Sequence, residues 1–420
     1  MAHQASSTRV AALTTPSGIT IWHVEDYTVP VLSLEFAFPG GAAQDLAGES
    51  GLTRLMAGLL DEGAGNLDSE AFQEALEDKA IELSFDAGRD RLDGSLRSLA
   101  EHVDAAFDYL AMAVQAPRFD EDAVERVRAQ AISGLKQDES DPQVLVRDAL
   151  YRIGFSGHAY AAPVNGTLET LPKLTRAGLL AQHHRLVTRA GLHVIAVGAI
   201  APDALIAGVE RVFGPLPATG ALQPLDFAPL QGLGTREIID LDIPQSTLFL
   251  ALPGLSRKDA DFITGVVVNH ILGGGVFTSR LWTEVREKRG LAYSVWSMLS
   301  TKTHANLFLA GTATSNERVA LSLELIETEI ARMAGEGPGT EELEKAKSYL
   351  AGSYALRFDS SRKIANELLE ISMDDMGIDY IDKRNDLIMA VSQADAKRVA
   401  ARLFSGMKPL VIAAGKPENL

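Results

Sequence analysis

Residues 29–41, VPVLSLEFAFPGG, and residues 243–255, IPQSTLFLALPGL, follow one pattern. A β-branched residue and a proline precede an apolar run, and each run closes at Pro-Gly. Such runs read as strands bounded by breakers. Working outward from the first copy, residues 18–25 (GITIWHVE) read as a strand paired with it. A helix follows over residues 49–61, where Leu52, Leu55, Met56, Leu59 and Leu60 recur at helical spacing. The second copy is likewise followed by a helix, over residues 260–272. Further on, residues 337–356 (GPGTEELEKAKSYLAGSYAL) echo residues 116–135 (APRFDEDAVERVRAQAISGL), and a helix and an apolar strand near the end of each half match as well. Residues 214–234 carry Pro215, Pro217, Pro224 and Pro229 and read as a linker. The reading is an α+β protein made of two similar domains, 1–213 and 235–420, produced by internal duplication. Each is expected to be a mostly antiparallel sheet with helices packed on one face.

Composition narrows the function. At 420 residues the chain exceeds one ordinary core, which agrees with two domains. A formal net charge of −17 speaks against partners that are themselves polyanions, so neither nucleic acid nor an anionic membrane surface is expected. No cysteine is present, which excludes disulfides, thiolate metal sites and a cysteine nucleophile. No apolar run reaches the 18 residues that a membrane span requires. The opening, MAHQASSTRV, is short and polar and does not read as a signal peptide.

The stretch richest in chemistry is residues 272–294, LGGGVFTSRLWTEVREKRGLAYS. Gly273, Gly274 and Gly275 allow another chain to approach closely. Ser279 suits a helix N-cap, and SRLWTEVREK reads as a short amphipathic helix with Leu281 and Val285 on its apolar side. Gly290 ends that helix, and a strand resumes at LAYSVWSML. Arg286, late in the helix, and Tyr293, early in the strand, are therefore placed to converge. A guanidinium and a phenol there can hydrogen-bond a peptide carbonyl or the oxyanion formed from it. On spacing alone the ordinary reading is favoured: a solvated arginine and a tyrosine packed in the core. The glycines are no phosphate loop, because no Gly-Lys-Ser/Thr follows. His183 and His184 are adjacent and make a poor chelating pair on a helix. His158 reads as a loop residue bonded to backbone and His270 as a packing residue. No nucleophile elbow or dinucleotide fingerprint occurs.

The run from Ser279 to Tyr293 resembles the second-half signature of the pitrilysin/insulinase-type peptidases, the inverzincins. There an Arg and a Tyr matching Arg286 and Tyr293 bind substrate, and Gly273, Gly274 and Gly275 would border its path. Active members carry H-x-x-E-H on the first helix of the first half, where two His bind zinc and the Glu activates water. Here those slots hold Arg54, Ala57 and Gly58, and the region of the third ligand reads Ala131-Ile132-Ser133-Gly134-Leu135. The resemblance thus implies no cofactor in this chain and no catalytic residue of its own. It implies a substrate-binding, non-catalytic subunit of a heterodimeric zinc metallopeptidase, inactive alone, whose partner bears H-x-x-E-H and the zinc. Peptide is the implied substrate. The alternative is a structural or peptide-binding pseudo-peptidase with no proteolytic partner. A mature periplasmic chain is expected, with cytoplasm as the alternative.

Overall fold

The computed structural model describes residues 9–420; residues 1–8, which include most of the polar opening read above as no signal peptide, lie outside the described residues. The first sheet contains β1 (Ala11–Thr14), β2 (Thr20–Glu25), β3 (Val31–Pro39), β4 (Glu82–Ala87), β5 (Arg91–Leu99) and β6 (His193–Gly198), in the order β1-β2-β6-β3-β5-β4. The second contains β7 (Arg236–Asp240), β8 (Gln245–Pro253), β9 (Ala292–Thr301), β10 (Asn306–Ser315) and β11 (Leu410–Gly415), in the order β7-β11-β8-β10-β9. The two echoing runs are β3 and β8, nine residues each and set at matching positions of their copies. Every pairing is antiparallel except β2 with β6 and β7 with β11. The duplicated α+β architecture expected from the sequence is therefore present.

The helices of the first half are α1 (Leu52–Ala57), α2 (Ser69–Glu77), α3 (Val103–Gln115), α4 (Glu121–Asp138), α5 (Pro142–Gly154), α6 (Arg176–Leu186) and α7 (Pro202–Phe213). The second half adds α8 (Phe262–Asn269), α9 (Val319–Glu336), α10 (Thr340–Gly352), α11 (Ser361–Met373), α12 (Tyr380–Met389) and α13 (Gln393–Phe404). Among the described residues, no helix is long and apolar enough to cross a membrane.

Three details depart from the sequence reading. First, β2 does not pair with β3, because β6 lies between them. All but the first residue of β6 are buried, and such a strand needs neighbours on both sides. The chain leaving β2 steps past its end, where Asp26 N donates to Gly198 O and Ala199 N to Val31 O. Gly198 has φ +138°, and a Cβ there would stand 2.1 Å from Val31 O, so only glycine fits the step. Second, the first helix is short. It begins after Gly51, whose φ is +94°, and ends at Gly58, with turns continuing to residue 62.

Third, the compact units are not the two continuous halves. Residues 135–163, with α5, group with the second sheet, and residues 355–381, with α11, group with the first. The linker at 214–234 is itself divided, its first part going with the first unit and the rest with the second. The reason is apolar area. On α11, Ile364, Ala365, Leu368 and Leu369 close over Val24, Ala37, Ile195 and Val197 of the first sheet. In the second sheet, α5 packs on β8 and β11.

Charged groups ring the contact of α11 with its sheet. Arg91 bonds Asp93 on β5 and reaches Glu370 at 2.5 Å, Arg362 pairs with Glu82, and His193 Nδ1 lies 2.7 Å from Ser372 Oγ. On the same face, Glu35 is 5% exposed and accepts from Ser95 Oγ at 2.8 Å. Burial pushes its carboxyl up to about 7, against the opposing pull of the Ser95 hydrogen bond and of Arg362. A carboxyl whose folded pKa lies above its unfolded one holds its proton better in the native state. Its ionisation therefore costs stability increasingly from about pH 4.5 to 7 and fully above that. Glu35→Gln is expected to stabilise the protein at pH 8 relative to wild type, with the gap closing towards pH 5. Denaturant melts at both pH values check this; a gap that does not change with pH would contradict it.

Candidate functional site

The corner between α8 and β9 departs twice from α-helical geometry. After α8 the chain continues as a π-helical turn over His270–Gly274, and a second π turn covers Trp282–Glu287. π turns concentrate at functional sites because they shift side chains out of α register. Ser279 does act near the N-cap expected of it, its Oγ accepting from Trp282 N at 3.4 Å, and Leu281 and Val285 are fully buried. Gly290, with φ +58°, ends the turn through Gly290 N to Arg286 O at 2.8 Å.

Arg286 and Tyr293 do converge. The Arg286 guanidinium carbon lies 4.5 Å from the centre of the Tyr293 ring and 4.0 Å from that of Trp282. Both distances fall within cation–π range. Phe277 meets Trp282 edge to face at 4.8 Å. Tyr293 is not a core residue: it is 83% exposed. The cause is a β-bulge. Register shifts between Thr312, opposite Val295, and Thr314, opposite Ala292, so Tyr293 and Ser294 together face one partner position and both turn outward. Among the described residues, neither the Arg286 side chain nor the Tyr293 hydroxyl makes a hydrogen bond or ion pair. The site thus offers a held cation and a free phenol side by side.

The three glycines serve the chain's own packing. A Cβ on Gly273 would meet Ser297 Oγ at 2.6 Å and Leu281 Cδ1 at 2.7 Å, and one on Gly275 would meet His270 O at 2.9 Å. The close approach they permit is made here by β9 and by the π turn. Gly274 is exposed, beside the exposed Val276 and Phe277. The sequence reading missed two contributors. Trp282 stands four residues before Arg286, a spacing visible in the sequence. Arg280 gives no such signal: it is 8% exposed, grips Glu342 through two bonds at 2.9 and 2.7 Å and reaches Gly337 O at 3.0 Å.

In the first half, α1 is capped by Asp45, which accepts from Gly51 N at 2.9 Å and Thr53 N at 3.0 Å. Burial raises its carboxyl to about 6 despite those bonds. Arg54 pairs with Asp86 on β4, Ala57 is buried, and Gly58 abuts Val127 of α4. These residues do not fit a zinc ion: one is itself a cation and two have no donor atom. Among the described residues, no group of three or more His, Cys, Asp or Glu is placed to hold a metal.

The histidines are engaged elsewhere. His183 Nε2 contacts Val114 O at 2.9 Å, and burial lowers its pKa to about 4. His158 caps a turn by accepting from Tyr160 N at 3.1 Å. His270 stacks on Tyr349 at 5.1 Å and lines a cavity of about 580 Å³ between the glycine turn and α10.

The fold is duplicated, and among the described residues it holds no group of His, Cys, Asp and Glu placed for a metal, as in a non-catalytic member of a peptidase fold. Residues 24–168 match the model of the insulinase family (peptidase family M16), and residues 173–350 match the peptidase M16 inactive domain. The chain belongs to the M16 peptidase family, among its non-catalytic members. A "non-peptidase homolog YmxG" of Helicobacter pylori is 28% identical over 341 residues, covering 81% of this chain and 78% of that protein. A Rickettsia felis protein carrying the name of zinc protease is 22% identical, covering 93% and 94%. The crystal structure of the peptidase M16 inactive domain from Pseudomonas fluorescens superposes with a TM-score of 0.90 at 27% identity, over 97% of this chain and 98% of that one.

The purified chain is expected to carry no stoichiometric zinc and to cleave no peptide. Metal analysis by mass spectrometry checks this. One zinc per chain, lost together with activity on chelation, would overturn it.

Proposed function

We propose that this chain is the substrate-binding, non-catalytic subunit of a two-chain zinc metallopeptidase. The zinc and the H-x-x-E-H motif belong to its partner, and this chain contributes Arg286 and Tyr293. The observation that carries the reading is the Arg286 guanidinium, held against two aromatic rings and, among the described residues, with no carboxylate bound to it. An arginine kept only for stability normally finds an acidic partner, as Arg280 does with Glu342. One held by rings keeps its N–H donors for a ligand, and a peptide carbonyl is a fitting acceptor. The bulge turns the Tyr293 hydroxyl to the same side, where it can donate to an oxyanion. The corner supplies grip and charge stabilisation, and proton transfer and the nucleophile fall to the partner.

Reconstitution with an H-x-x-E-H subunit from the same host tests the reading. Tyr293→Phe keeps the ring and removes one donor, and turnover of the complex is expected to fall about 10²–10³-fold. Arg286→Ala is expected to raise KM as well, because a charged donor to the peptide is lost. Thermal melts and complex formation should stay near wild type in both. Unchanged turnover with lowered stability would instead favour a structural or peptide-binding pseudo-peptidase that has no proteolytic partner.

A further inference from the structure

The two sheets differ at one edge. In the first, β2 lies parallel to β6 and carries β1 antiparallel on its outer side, with Leu13 opposite Ile21. In the second, β7 occupies the matching place beside β11, and among the described residues no strand pairs with its outer side. The bonds Val411 N to Thr235 O at 2.9 Å and Leu241 N to Gly415 O at 3.2 Å set the parity of β7. Residues 235, 237, 239 and 241 turn their backbone groups to β11, so Arg236, Ile238 and Asp240 turn theirs outward. The side chains of all three are exposed, Ile238 by 46%. An open edge with an exposed isoleucine at its centre is a template for another strand.

β7 is also its own complement. Laid antiparallel across a two-fold axis at Ile238, a second copy would set Arg236 opposite Asp240, Ile238 opposite Ile238, and Asp240 opposite Arg236. All three positions share the outward parity, so each pair can exchange both N–H···O bonds. Opposite charges directly across a ladder stabilise it and like charges destabilise it. A parallel copy in register would set Arg236 level with Arg236 and Asp240 level with Asp240, so the charges select the antiparallel arrangement. Among the described residues, Glu327 stands 3.9 Å from Arg236, beyond hydrogen-bond reach, and Lys416 bonds Asp242 while its charge also acts on Asp240. Glu237, on the other face, is met by Arg152 of α5 at 3.5 Å.

We propose that the β7 edge is a homodimer interface, joining two copies of the second sheet into one antiparallel-seamed sheet. The second copy would take the place at β7 that β1 takes at β2. This is independent of the peptidase reading: Tyr293 is on β9, at the opposite edge of the same sheet. One five-residue strand is a small seam, so the association belongs to the weak, concentration-dependent class.

Sedimentation velocity of the full chain over a wide concentration series tests the proposal. Wild type should dimerise reversibly at high concentration. Arg236→Asp alone sets Asp against Asp twice in the dimer, and Asp240→Arg alone sets Arg against Arg twice. Each should weaken dimerisation by about tenfold or more, and the double swap should restore it. Ile238→Pro removes an outward N–H without touching the β11 ladder and should also give a monomer, with unchanged melts showing that the fold survives. A wild type that stays monomeric throughout, or a dimer that both single charge variants leave intact, would overturn the proposal.

Discussion

The constraint that governs this molecule is that its central strands are buried on both faces. Seven consecutive residues of β3 are buried, as are all six of β11 and five of β6. The helices of each half that lie nearest in sequence cover one face: α3 and α7 pack together over the first sheet, and α8, α9 and α13 over the second. The other face would stay wet. Each sheet therefore takes a helix from the opposite stretch of chain, α11 on the first and α5 on the second. Burying each large side chain of α11 that meets the sheet, Ile364, Leu368 and Leu369, is worth about 1.5–3 kcal/mol. The exchange means that neither half of the sequence completes its own core.

The two copies of the fold have spent their equivalent helices differently. In the first, the helix over Leu52–Ala57 is pinned for structure: Asp45 at its N-terminus, Gln182 on Thr53, Arg54 on Asp86, and Ala57 in the core. Such bonds leave little open coordination space. In the second, the helix loosens into π turns around glycines, and the chain beyond it exposes Val276, Phe277 and Tyr293 together. Apolar and aromatic side chains in that number at one corner are what interaction surfaces expose.

Much of this was legible. The Pro-flanked runs at 29–41 and 243–255 fixed two central strands because a nine-residue apolar run between breakers has few other readings. Arg286 and Tyr293 were visible through helix and strand periodicity and through resemblance. What the periods could not give is long range. The insertion of β6 between β2 and β3 depends on a strand that begins only at His193, a long-range choice that topology rules leave open. α5 and α11 carry the same amphipathic pattern whichever sheet they cover. The bulge at Tyr293 is invisible because a strand period of two assigns Tyr293 and Ser294 to opposite faces, whereas both are exposed. β1 and β7 are short edge strands whose periodic signal is too brief to separate from loop.

Arg280 and Arg286, six positions apart on one short stretch, show how differently one fold can treat two like charges. A guanidinium taken out of water needs its charge compensated and its N–H groups bonded. Arg280 is compensated by Glu342 and a carbonyl, and Glu342 in turn holds Gly339 N at 2.7 Å at the start of α10. Through that chain of bonds Arg280 fixes α10 against the glycine turn, and its removal would leave a half-buried carboxylate without its partner. Among the described residues, Arg286 meets ring quadrupoles and no carboxylate; such rings hold a cation in place and leave its hydrogen-bonding edge free. Arg280 gives no signal in the sequence, whereas Arg286 is the arginine that the resemblance marks. The difference between them is made entirely by what folds against each: a carboxylate for the one, and two rings, one of them turned outward by a bulge, for the other.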